Sequence, residues 1–222
     1  MPFALLPVLA AMREVYALPR TPARFQAYLR LLHGPTRADL AVPVPHFNPM
    51  AHEAAIARLD ELLALGAEEL VAATLPALNA AAPPGEPLLR VALNLADDAH
   101  GGWTNRFTTD FANTFQLGAL LRRGFVTPLA WTSEPFSPEL LARRTQQQAW
   151  RSRYQLAHLA PRNLAEHVAQ EAWVAQQLGE PAPTLKPAAY QQHQDATDAP
   201  TLLAYFYGDI AAAELGHRPL GS

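Results

Sequence analysis

The chain has 222 residues, of which 50% are hydrophobic and 17% are charged, a composition typical of a folded protein and unlike that of a disordered one. It contains no cysteine, which excludes disulfides, thiolate nucleophiles, iron–sulfur clusters and cysteine-based zinc sites. A formal net charge of −3 predicts no general affinity for nucleic acid or for an anionic membrane surface.

The N-terminal third of the chain is predicted to be helical. Pairs in which proline follows a capping residue, such as Thr21-Pro22 and Asn48-Pro49, are typical of helix starts. The predicted helices cover residues 4–18, 22–33, 49–65 and 67–80. The apolar run 3–11 lacks the basic residues of a signal peptide, so we expect a cytoplasmic protein. No apolar stretch approaches the roughly 20 residues that a membrane-spanning helix needs.

The centre of the chain alternates strand, helix and strand. Residues 88–95 and 125–132 are predicted strands, and residues 104–123 between them are a predicted helix that ends before Gly124. Pro128 cannot donate a hydrogen bond to a neighbouring strand, which predicts an edge strand or a bulge there. Such a unit is normally a right-handed parallel crossover, so the carboxyl ends of both strands should meet at one edge.

The remaining helices are predicted at residues 138–158, 163–178 and 200–216, and residues 40–47 are a candidate for one more strand. The sequence therefore predicts a helix-rich α/β fold, with a small parallel sheet of two to three strands around a central βαβ unit and about seven flanking helices. We expect a single globular domain over residues 1–222. The alternative division is a helical N-terminal subdomain, 1–82, and a βαβ plus helical part, 86–222.

Acidic and imidazole side chains gather where these two strands end. Asp97, Asp98 and His100 follow the first strand, and Glu134 follows the second. Because open α/β sheets bind ligands at the carboxyl ends of their strands, these four residues are candidate catalytic groups. Asp97, Asp98 and His100 also supply oxygen and imidazole ligands for a divalent metal ion, which is the candidate cofactor.

The loop after the first strand also has the features of an anion site. Gly101 and Gly102 allow the backbone to approach a ligand closely. Thr104 is the predicted N-cap of the next helix, and the helix start with Asn105 and Arg106 favours an anionic substrate or ligand. The same residue types also build ordinary turns, so a purely structural role for this loop stays open.

Glu171 is the second candidate site. It falls within the apolar stripe of the helix 163–178, where a carboxylate must be paired, protonated or bound to metal. His167 lies one helical turn earlier, so the two side chains together are a candidate metal site. The alternative is an ion pair with an arginine of the preceding helix, and four are candidates: Arg143, Arg144, Arg151 and Arg153.

Two functions from different classes remain open. The first is a small-molecule enzyme that acts on an anionic substrate by metal-assisted hydrolysis or group transfer at the loop 97–106. The second is a non-enzymatic helical binding or scaffold protein, in which this loop only caps the fold. No motif identifies a family, and the sequence does not indicate an oligomeric state.

Overall fold

The structure is a computed structural model that describes residues 2–34, 40–44, 46–99 and 104–221. It confirms a helix-rich α/β fold with small parallel sheets. In chain order, the elements are β1 (Phe3–Leu5), α1 (Leu9–Ala17), α2 (Pro22–His33), α3 (Glu53–Ala64), α4 (Ala67–Ala80), β2 (Leu89–Val91), β3 (Asn94–Ala96), α5 (Arg106–Phe115), α6 (Gly118–Leu121), β4 (Phe125–Val126), β5 (Leu129–Trp131), α7 (Pro138–Ala157), α8 (Leu164–Leu178), α9 (Pro187–His193) and α10 (Ala199–Glu214).

The predicted parallel pairing of the two strands is present, but each predicted strand is divided in two and the parts form separate sheets, β1-β2-β4 and β3-β5. β2 pairs with β4, and β3 pairs with β5 in the register Ala96 opposite Trp131. Between the two ladders, the carbonyl oxygen of Pro128 accepts the N–H of Asn94 at 2.9 Å. The proline can accept but cannot donate, which explains why the second strand is interrupted between β4 and β5.

β1 is a strand that the sequence analysis assigned to a helix. Residues 3–5 pair in parallel with β2, so the predicted helix 4–18 is wrong over residues 4–8 and α1 begins only at Leu9. On Phe3, the backbone exchanges two hydrogen bonds with the side-chain amide of Asn79 on α4, at 2.8 and 3.0 Å. A short apolar run has no periodicity that separates a strand from a helix, so this pairing was not foreseen.

α3, which was predicted over residues 49–65, also begins later than predicted, at Glu53. The side chain of Asn48 accepts the N–H of Met50 at 2.9 Å, so Asn48-Pro49 forms a local turn and not a helix start.

The candidate strand at 40–47 forms no strand in its described residues, and α9 was not predicted. No helix in the described part of the chain combines the length and the apolar character needed to cross a membrane.

The chain divides into two units. The first comprises Met1–Asn105 and Ala119–Ala149 and holds all five described strands; the second comprises Arg106–Gly118 and Trp150–Ser222 and is helical in its described residues. The core of the second unit is formed by side chains of α5, α8, α9 and α10, among them Phe111, Leu164 and Leu203. The expected single domain stays a prediction.

The start of α1 is capped by a residue from another helix. One carboxylate oxygen of Glu68, in the first turn of α4, accepts the backbone N–H groups of Val8 and Leu9. These amides have no acceptor within α1 itself, so the carboxylate satisfies donors that would otherwise be unpaired. This contact ties α1 to α4 within the first unit.

Replacing Glu68 with alanine should lower the free energy of unfolding by about 1–2 kcal/mol, because two helix-start amides lose their acceptor. Glu69→Ala is the matched control, since Glu69 is an exposed acid in the same turn of α4. Urea unfolding measures both variants. Equal losses for Glu68→Ala and Glu69→Ala would contradict the capping role.

Candidate functional site

The candidate site begins where β3 and β5 end side by side. The parallel pairing continues one residue past the strands, because the N–H of Thr132 donates to the carbonyl oxygen of Ala96 at 3.0 Å. Asp97 and Thr132 are therefore neighbours, as expected for the carboxyl ends of adjacent parallel strands.

The hydroxyl of Thr132 is the centre of this strand edge. Its Oγ1 lies 3.1 Å from Oδ1 of Asp97 and 3.1 Å from Oδ1 of Asp98, and it accepts the backbone N–H groups of Asp98 and Ala99. A hydroxyl has one proton to donate, so it can serve only one of the two carboxylates at a time. The two acids are thus held at one hydroxyl.

Asp98 is further occupied by the turn that follows β5. Its Oδ1 accepts the N–H of Ser133 at 3.0 Å, and its Oδ2 accepts the Ser133 hydroxyl at 2.7 Å. These bonds hold the two strand ends together. In this arrangement the Asp98 carboxylate holds the turn after β5 in place through Ser133.

Glu134 is held in an ion pair. Its two carboxylate oxygens contact Nη1 and Nη2 of Arg144, and Oε1 also accepts the N–H of Trp131 at 3.1 Å. The guanidinium of Arg144 donates to the carbonyl oxygen of Leu129 as well. Both side chains are largely shielded from solvent, so this pair anchors the N-terminal half of α7 to β5.

Asp97 differs from these two acids because it lines a pocket. Asp97 is 7% exposed. Among the described residues, only the Thr132 hydroxyl forms a hydrogen bond with its carboxylate, at Oδ1. Oδ2 therefore accepts no hydrogen bond from the described part of the chain. The pocket, called the strand-end pocket below, has a volume of about 160 Å³ and is lined by His52, Ala54, Ala55, Arg58, Asp97, Ala99 and Thr132.

Arg58 provides a cation in the same pocket. Its Nη2 donates to the carbonyl oxygen of Glu134, and its Nη1 pairs with the carboxylate of Glu61. The guanidinium stacks over the ring of Phe136 at 4.0 Å, and its Nε is buried without a partner among the described residues. Three neighbours thus fix the orientation of the guanidinium plane.

The charge of Asp97 also affects Tyr16, on α1. Burial and, second, the Asp97 carboxylate raise the pKa of the Tyr16 hydroxyl, while Arg24 lowers it. The hydroxyl donates to the carbonyl oxygen of Asn48 at 2.7 Å. Tyr16 is therefore a protonated donor at neutral pH.

The predicted anion loop is described only in part, since His100, Gly101 and Gly102 lie outside the described residues. Thr104 is not the N-cap of α5, because α5 begins at Arg106 and leaves Asn105 in the capping position. The hydroxyl of Thr104 instead donates to the carbonyl oxygen of Asp97 at 2.6 Å, which ties Thr104 to the end of β3.

The second candidate, Glu171, lies in the second unit and forms a buried ion pair. Its two carboxylate oxygens accept hydrogen bonds from Nε and Nη2 of Arg151, at 2.8 and 2.7 Å, and Gln170 donates a third. This confirms the ion-pair alternative of the sequence analysis. Within the described residues, His167 makes no hydrogen bond to Glu171, and no group of three or more acidic or histidine side chains could hold a metal ion.

The electrostatics of this pair follow from its burial. Burial alone would raise the pKa of the Glu171 carboxyl, but the charge and the hydrogen bonds of Arg151 outweigh it and lower that pKa below its usual value. The Asp110 carboxylate, which accepts the Tyr207 hydroxyl at 2.7 Å, adds to the negative potential at Arg151. Glu171 is therefore ionised in the folded protein.

Two residues of the strand-end pocket, His52 and Arg58, were missed by the sequence analysis. Both lie on or just before α3, more than 30 residues from Asp97 along the chain. Neither stands at a spacing that indicates a site. Only the packing of α3 in the first unit brings them to the pocket.

Replacing Glu171 with leucine should lower the free energy of unfolding by about 3–5 kcal/mol, because it leaves Arg151 charged and buried without its partner. The double variant Arg151→Met/Glu171→Leu should recover most of this loss, since neither charge is then buried. Urea unfolding at pH 7 tests both. A double variant as unstable as the single one would show that the ion pair is not the cause.

The same pair predicts a pH dependence. Because the pKa of Glu171 is lowered on folding, its contribution to stability is present above the unfolded value of about 4.3 and is lost as the pH falls through the folded value. The wild type should therefore lose more stability than the double variant in acid. An equal loss of unfolding free energy in the two proteins when the pH is lowered from neutral to acid would contradict this.

Comparison of the chain with models of protein families, with curated proteins and with solved structures finds no significant match. The chemistry of the strand-end pocket is therefore the basis for proposing a function.

Proposed function

We propose that this protein is a small-molecule enzyme that acts on an anionic substrate in the strand-end pocket. The observation that carries the proposal is the buried residue Asp97, which lines the pocket and whose Oδ2 accepts no hydrogen bond from the described residues. A buried carboxylate with unused hydrogen-bonding capacity at a strand end is more typical of a functional group than of a structural one.

The positively charged part of the pocket lining favours an anionic substrate. The Arg58 guanidinium is oriented by the Glu134 carbonyl oxygen and the Phe136 ring, so little side-chain entropy is lost on binding, and an anion would compete for it with the exposed Glu61 carboxylate. The first turn of α3 contributes Ala54 to the lining, and the His52 side chain makes no capping bond to that turn. Helix-start amides and a guanidinium are both suited to phosphate or carboxylate groups.

Asp97 supplies the chemical group of the proposal. Thr132 fixes the orientation of the carboxylate through Oδ1, which leaves Oδ2 to accept a proton from a substrate hydroxyl or from water. In the metal-assisted form of the proposal, the same oxygen is a ligand of a divalent metal ion that activates water for hydrolysis or group transfer. The metal content of the protein distinguishes these two forms.

Elemental analysis of protein purified without chelator tests the metal-assisted form. This form predicts a stoichiometric divalent metal in the wild type and in Asp60→Asn, which removes an exposed carboxylate of α3, and its loss in Asp97→Asn. Circular dichroism establishes that each variant is folded. A metal retained by Asp97→Asn, or no metal in any of the three proteins, would exclude this form.

The alternative, a non-enzymatic helical binding or scaffold protein, makes a different prediction for Asp97. If Asp97 only caps the end of β3, Asp97→Asn should change the free energy of unfolding by about 1 kcal/mol or less and leave every binding property intact. Binding of small anions that is insensitive to all changes in the strand-end pocket would favour this alternative.

A further inference from the structure

A second pocket lies within the second unit, where α5, α8 and α10 meet. Its volume is about 170 Å³. It is lined by Phe111, Phe115, Gln116, Pro161, Arg162, His167, Thr197, Ala199 and Leu202. None of these residues belongs to the strand-end pocket, so its role is independent of the function proposed above.

The buried part of this second pocket is aromatic. The ring centroids of Phe111 and Phe115 lie 5.2 Å apart, and the His167 ring contacts the Phe115 ring edge-on, with 4.9 Å between the centroids. Leu202 adds a buried aliphatic side chain. Three other lining residues, Gln116, Arg162 and Thr197, are polar and exposed. Since an apolar cavity of about 150 Å³ holds one benzene ring, the volume of this pocket is sufficient for a single-ring molecule whose apolar part contacts the phenylalanine rings.

His167 is the one lining residue of the second pocket that is both polar and buried, with 4% of its surface exposed. Its imidazole makes no hydrogen bond to the described residues, and Nδ1 is buried without a partner. Nearly all buried polar groups in folded proteins are hydrogen-bonded. An imidazole left without one beside an aromatic pocket therefore points to a ligand that supplies the bond.

The charges around His167 favour a neutral ligand. Burial lowers the pKa of His167, and this outweighs the opposite effect of Glu171 and Glu166, so the ring is uncharged at pH 7. Glu171 is paired with Arg151, and Glu166 lies 3.4 Å from Arg162 at the exposed side of the pocket. Arg162 is the one cation of the described lining, and it is exposed and paired with Glu166, so no buried cation there holds a carboxylate.

We propose that the second pocket binds a neutral single-ring aromatic molecule that carries a hydroxyl group, a ligand of the phenol class. The ring packs against Phe111 and Phe115, and the hydroxyl forms a hydrogen bond with the imidazole of His167. Aromatic contact supplies most of the affinity, and the hydrogen bond selects the hydroxyl-bearing ring over a plain one.

The test is calorimetric titration of the full chain with three probes, namely phenol, benzene and benzoate. The variant is His167→Phe, which removes the polar group and keeps an aromatic ring, so it should fold at least as stably as the wild type. The matched control is His158→Phe, because His158 is an exposed histidine of the same unit, stacked on Tyr154.

We expect saturable phenol binding at one site in the wild type and in His158→Phe, and binding about tenfold weaker in His167→Phe, equivalent to about 1.4 kcal/mol. Benzene should bind His167→Phe no more weakly than the wild type. Absence of saturable phenol binding, equal phenol affinity in His167→Phe, or a preference for benzoate over phenol would overturn the proposal.

Discussion

The parallel pairing of β3 with β5 is the constraint on which the candidate site depends. With Ala96 opposite Trp131, the next residues of both strands become neighbours, and the Thr132 hydroxyl reaches the carboxylates of Asp97 and Asp98. A shift of one residue in this register would send alternate side chains to the other face of the sheet. The contacts of Asp98 with the β5–α7 turn and the shape of the strand-end pocket would then be lost together.

Three carboxylates lie at this edge of the sheet, and their surroundings give them different roles. Asp98 is held by Ser133, and Glu134 is held by Arg144, so both acids stabilise the turn. Asp97 lines a pocket, and its Oδ2 accepts no hydrogen bond from the described residues. Asp97 and Asp98 are both aspartates that directly follow β3. Only their contacts therefore distinguish the structural acid from the candidate catalytic one.

The sequence predicted those features that depend on local patterns or on one strong physical rule. Proline and capping residues located α2 within the correct bounds, and the cost of burying a carboxylate predicted an arginine partner for Glu171. β1 was missed because three apolar residues carry no period, and its partners lie more than 80 residues away. Arg58 was missed because its role arises from tertiary packing and from no motif.

The most direct test of the strand-end pocket is a thermal-shift screen of small anions, including phosphate esters and carboxylates with and without Mg²⁺. Ala54→Trp fills the pocket from an exposed position on α3, and Ala57→Trp adds the same side chain to an exposed position of α3 outside the lining. We expect at least one anion to raise the melting temperature of the wild type and of Ala57→Trp but not of Ala54→Trp. Equal stabilisation of Ala54→Trp, or no anion that stabilises the wild type, would contradict it.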